Sequence, residues 1–190
     1  MKTDGGAITV FQLMIPFLLV AISVVAGPKE TVLDSRGNPE KANARYYILS
    51  PNEVRIAAIT DKSFFDAISC PQRVVMSSEP LTVEPVIFEL SSDVVRVSTE
   101  LNIRFSRPSL CPGSRYWRVE DSSKAVVLNG SKSSNDSTFT IQKFGKSYKL
   151  AFGSADKPTD VGLERIRIED YRLILSNNSG FAVAFARALF

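Results

Sequence analysis

The chain has 190 residues, with 23 lysines and arginines against 20 aspartates and glutamates, a net charge of +3 and no histidine. Charges so few and scattered do not form the dense basic stripe of a nucleic-acid ligand. The lack of histidine excludes Ser-His-Asp and Cys-His catalysis, and two cysteines alone make no metal site, so the sequence reads as a non-enzyme needing no cofactor.

In chain order, the first feature is apolar. No charge occurs between Asp4 and Lys29, and residues 13–26 have the length of a signal-peptide core, ending in Val24-Val25-Ala26. A membrane anchor is the rival reading, against which Gln12, Pro16 and the Ala26-Gly27 ending weigh. Residues 1–26 are therefore expected to be a cleaved signal peptide. Residues 27–190 remain as one secreted domain with no membrane attachment. In an oxidising compartment Cys70 and Cys111 predict a single disulfide rather than two buried thiols. Three sequons, Asn129-Gly-Ser, Asn135-Asp-Ser and Asn177-Asn-Ser, stand among polar residues as glycosylation candidates.

From Tyr46 onward, alternation dominates. Leu101, Ile103 and Phe105 share one face, as do Phe139 and Ile141, and then Tyr148, Leu150 and Phe152. Further strands are predicted at 45–49, 54–59, 73–76, 86–90, 94–98, 116–120, 125–128, 164–168, 172–175 and 182–187. Gly37-Asn-Pro, Ser50-Pro-Asn, Asn129-Gly and Gly145-Lys punctuate them. No segment forms an amphipathic helix of three turns. Periodicity gives an all-β single domain, a sandwich or a closed barrel. Trp117 reads as barrel core, with sugar stacking as its rival. Phe64-Phe65 reads as either a contact patch or a plug over the barrel mouth. The acidic stretch 156–160 reads as a solvated turn rather than a calcium loop.

Several motifs recur in a definite order: Val32-Leu-Asp with Arg45-Tyr-Tyr-Ile-Leu, Ser69-Cys-Pro, and Val95-Arg-Val-Ser-Thr-Glu-Leu-Asn-Ile-Arg-Phe. After Cys111 come Tyr116-Trp-Arg-Val-Glu, Phe144-Gly-Lys-Ser-Tyr-Lys-Leu-Ala-Phe and Tyr171-Arg-Leu-Ile-Leu. Together they resemble the plant Kunitz-type (soybean trypsin inhibitor) family, in its miraculin-like branch, over residues 31–188. The resemblance implies a β-trefoil of about twelve strands, a pseudo-threefold barrel capped by hairpins. The chain departs from the family pattern at Arg36, at Glu40 where an apolar residue is usual, and at 153–160, where no second cysteine pair occurs. Ala42 stands where a loop-propping asparagine is often found, with Asn43 one place along.

The function implied is that of a monomeric endopeptidase inhibitor, secreted to the apoplast or sent to the vacuole. It would insert a rigid loop between the fourth and fifth strands into a serine protease cleft. Aligning segment 77–90 with that loop selects Glu84, Pro85, Val86, Ile87 and Phe88 as protease-binding residues, with Pro85, Val86 or Ile87 at the scissile position. The same Val86 and Ile87 also read as a core-facing strand. None of the three scissile candidates is basic, so strong trypsin inhibition is not expected. A small apolar pocket of elastase or subtilisin type fits better, and a cysteine protease is a further candidate. The alternative is a miraculin-like storage or carbohydrate-binding defence protein without inhibitory activity.

Overall fold

The computed structural model describes residues 27–51, 58–62, 72–78, 83–108, 111–168, 170–177 and 180–189. The expected leader 1–26, Phe64-Phe65 and Cys70 lie outside the described residues. Among those described, twelve strands form one continuous antiparallel network. They are β1 (Arg45–Leu49), β2 (Ala58–Lys62), β3 (Arg73–Ser77), β4 (Val86–Glu89), β5 (Glu100–Phe105) and β6 (Arg118–Val119). The rest are β7 (Val126–Val127), β8 (Phe139–Phe144), β9 (Ser147–Phe152), β10 (Thr159–Arg165), β11 (Asp170–Leu175) and β12 (Ala184–Arg187).

Six strands close a barrel. β1 pairs with β12 and β4, β4 with β5, β5 with β8, and β8 with β9. The ring closes between β9 and β12 through the Tyr148–Val183 bridge, whose two backbone hydrogen bonds measure 3.1 and 2.8 Å. The other six strands are three hairpins, β2–β3, β6–β7 and β10–β11. β3 touches β7 at Arg73–Val127 and β11 at Tyr171–Met76, while Ala125 bridges Ile174, so the hairpins meet in a triangular cap. Three four-strand units, each giving two barrel strands and one cap hairpin, make a β-trefoil.

Alternation drives the barrel. In β5, Leu101, Ile103 and Phe105 turn inward while Asn102 and Arg104 stay partly exposed. Aromatic rings fill the interior in two connected groups. Tyr46, Phe88, Phe185 and Tyr148 make one, with centroids 5.5–5.9 Å apart. Phe105, Trp117, Phe139 and Phe152 make the other, at 5.5–6.2 Å. Trp117 is fully buried, which favours core over sugar stacking. Cys111 is disulfide-bonded.

Three predicted strands moved. β10 ends at Arg165 rather than spanning 164–168, because Asp170 turns the chain there. β2 runs on to Lys62, past the predicted end at 59, and positions 54–57 of that prediction lie outside the described residues. Segment 94–98 makes isolated bridges, Val94 with Lys41 and Arg96 with Thr31, instead of a strand.

Candidate functional site

The reactive loop expected at Glu84, Pro85, Val86, Ile87 and Phe88 is not a loop. Val86 and Phe88 are wholly buried, Ile87 is 7% exposed and Glu84 5%. Val86, Ile87 and Phe88 form β4, paired with β1 on one side and β5 on the other. Pro85 is buried and its carbonyl accepts the Ser106 N–H at 2.9 Å. Glu84 receives Arg115 at 2.5 Å and the Arg107 N–H at 3.0 Å, while Arg115 also reaches Asp61 at 2.6 Å. No protease cleft could take these residues without opening the barrel. The run of bulky residues that suggested a stiff extended bait is a strand covered on both faces.

The connection between the fourth and fifth strands instead covers residues 90–99. Its exposed part is short: Ser91, Ser92 and Asp93 form a bend, Val94 is half-buried and Val95 is buried. A polar Ser-Ser-Asp trio between two apolar runs is the turn signal that could have located it.

Both shoulders of this bend are fixed. On the incoming side β4 ends at Glu89, whose carboxylate is held by Arg104 Nε at 2.5 Å, Tyr116 OH at 2.7 Å and Lys132 Nζ at 3.2 Å. Burial alone would raise the Glu89 carboxyl, but these donors outweigh it and hold it below the usual carboxylate range. On the outgoing side the Ala42 N–H donates to the Asp93 carbonyl at 3.0 Å, so backbone replaces the missing asparagine side chain. The Val95 N–H donates to the Glu40 carbonyl at 3.0 Å, Val32 donates to Val95, and Val97 donates to Glu30. Ser92 Oγ donates across the tip to the Val94 carbonyl at 2.8 Å. Asn43, in the left-handed region at φ 61°, donates its N–H to Phe88 and turns the supporting segment beneath β4.

Glu40 lies inside this support. Its side chain is fully buried, and neither carboxyl oxygen has a hydrogen-bond partner. Burial, with a smaller push from Asp34, raises its carboxyl to about 9. Neutral Glu40 is thus part of the platform under the bend.

The matched family model is the legume Kunitz family of trypsin and protease inhibitors, over residues 32–187. The chain belongs to the plant Kunitz-type inhibitor family. "Kunitz trypsin inhibitor 6" of Arabidopsis thaliana is 40% identical over 187 residues, covering 90% of this chain and 91% of that protein. Miraculin of Synsepalum dulcificum is 29% identical, over 96% of this chain and 98% of its own. Soybean trypsin inhibitor, solved in complex with porcine pancreatic trypsin, superposes with a TM-score of 0.70 at 25% identity, over 83% of this chain and 99% of that chain. As a Kunitz-family protein the chain is of inhibitor type, not an enzyme.

Of the remaining sequence candidates, the Asn129 and Asn135 sequons are brought together by the Ser131 N–H, which donates to Ser137 Oγ at 3.0 Å. Asn129 and Asn135 are exposed, Asn129 at φ 68° and Asn135 opening a short 3-10 turn. Asn177 is exposed, but the rest of its sequon lies outside the described residues. None of them adjoins the β4–β5 bend in sequence.

Proposed function

We propose that this Kunitz-type protein is a secreted or vacuolar, monomeric inhibitor of serine endopeptidases, freed from residues 1–26 and stapled by a Cys70–Cys111 disulfide. It presents Ser91, Ser92 and Asp93 to the protease cleft. The observation that carries this reading is the two-sided anchoring of the exposed bend, by Arg104 and Tyr116 on Glu89 before it and by Ala42 on Asp93 after it. A loop already held in place loses little conformational entropy on docking, so contact energy is retained as affinity. The bend carries no basic side chain, and Asp93 would meet the acidic pocket of trypsin with like charge. Small pockets of elastase or subtilisin type suit the two serines. Three exposed residues cannot fill an interface of roughly 1,600 Å² alone, so flanking surface must contribute.

The test is titration of the mature protein against trypsin, subtilisin, elastase, chymotrypsin and papain, each with Asp93→Arg alongside. Inhibition of a small-pocket protease, weakened or redirected toward trypsin by Asp93→Arg, supports the reading. Undiminished activity of every protease at micromolar protein removes it.

One observation favours a second reading, a binding or storage role without inhibition: the bend is curved rather than extended. Beside it lies a shallow cleft of about 370 Å³ lined by Leu90, Ser91, Glu100, Asn102 and Lys132. A glycan array and a thermal-shift screen test this, since only a true ligand raises the melting temperature with concentration.

A further inference from the structure

The β10–β11 hairpin ends in an unusual surface. β10 and β11 stay in register to Arg165–Tyr171, and then the chain reverses within a few residues. The N–H groups of Ile166 and Arg167 both donate to the Asp170 carbonyl, at 3.0 and 3.1 Å, which closes a tight turn. Arg165 Nε reaches the Arg167 carbonyl at 3.3 Å and braces the tip. Asp170 itself is buried and pairs with Ser77 of β3, so the turn stands on the rigid cap.

The described part of this tip, which leaves out Glu169, shows both basic and apolar side chains to solvent. Arg165 and Arg167 are exposed, Ile166 is 38% exposed and Ile168 is 82% exposed. Arg172, one turn back, is committed to Glu164. Arg167 forms no ion pair with any carboxylate among the described residues. An isoleucine left four-fifths in water beside a guanidinium gains nothing for the fold. It is the arrangement that an acidic pocket with apolar walls would bury.

We propose that this tip is a second protease-docking site, with Arg167 entering the acidic specificity pocket of a trypsin-like enzyme and Ile168 packing at its rim. Charge decides the occupant. A trypsin-type pocket ends in a carboxylate that pairs with arginine, whereas the β4–β5 bend offers only Asp93. Placement makes the two sites independent. The β4–β5 bend follows the end of β4 that aligns with Arg45 of β1. The hairpin tip runs on past Ser77, which aligns through Ala58 with Leu49. The sites therefore lie toward opposite ends of β1, and two enzymes could be held at once.

The experiment titrates bovine trypsin with the mature wild-type protein and with Arg167→Ala, Arg167→Lys and Asp93→Ala. Circular dichroism confirms that each exposed-site variant is folded. The expected result is a rise of tenfold or more in the trypsin inhibition constant for Arg167→Ala, near-wild-type inhibition for Arg167→Lys and no change for Asp93→Ala. Subtilisin inhibition, read in parallel, should not respond to Arg167→Ala, which keeps this outcome separate from that of the β4–β5 reading. Absence of trypsin inhibition by wild type, an Arg167→Ala protein as potent as wild type, or simple cleavage after Arg167 with release would each overturn the proposal.

Discussion

Glu40 is a buried carboxyl group to which no protein donor among the described residues is offered. Its folded value of about 9 against an ordinary 4.5 means that the native state keeps a proton the unfolded chain gives up. Stability is therefore full below pH ~4.5 and falls as pH rises toward 9, by about 3 kcal/mol at pH 7. Glu40→Leu is expected to remove that slope and to raise stability at pH 8 by about 2–4 kcal/mol, as read from urea unfolding across pH 5–9. An unchanged slope would contradict the neutral-Glu40 picture. Glu89 works in the opposite sense. Its depressed carboxyl adds stability at neutral pH that is lost as pH falls through its folded value. Tyr116→Phe, which deletes one donor to it, should cost about 1–2 kcal/mol at pH 7 and almost nothing in strong acid.

At the scale of elements, the β4–β5 bend is stiff because each shoulder is tied. Ser92→Ala deletes the hydroxyl that spans the tip while leaving the barrel untouched. It should weaken inhibition of the cognate protease three- to tenfold with a melting temperature within about 1 °C of wild type, and a variant as potent as wild type would show that the tie is idle. The strands themselves were largely legible. Leu101, Ile103 and Phe105, or Tyr148, Leu150 and Phe152, alternate because one face meets the core and the other meets solvent. β4 misled for the converse reason. Val86, Ile87 and Phe88 are covered on both faces, so the run carries no alternation, and β-branched residues suit a strand as well as a taut loop. The exposed Ile166 and Ile168 produced the opposite error, since their spacing imitates a strand while the backbone is already turning. The support beneath the bend had no periodic signature, because Glu40 and Ala42 act there through main-chain atoms.

At the scale of the molecule, the fold depends on distant partners. β1 is flanked by β12, with Tyr46 opposite Arg187, and by β4. Removing residues 184–190 should leave Phe88 and Tyr148 without Phe185 and abolish cooperative unfolding, which near-UV circular dichroism would report. Reducing the Cys111 disulfide relaxes the unfolded chain. If it closes the loop of about 40 residues back to Cys70, its loss should cost roughly 3–4 kcal/mol, on the order of 10 °C in melting temperature. A shift under 2 °C would mean that the packed rings alone hold the cap.

The stave that completes the ring follows every other described barrel strand in chain order, joining Val183 to Tyr148 and residues 184–187 to β1. Residues 27–183 must therefore leave the ribosome before the wall can shut. Ser137, which completes the Asn135 sequon, ends with its hydroxyl sealed between the Ser131 N–H and the Asp136 carboxylate. A carbohydrate on Asn135 would then have to be attached before this local segment packs, and a refolded molecule should refuse it.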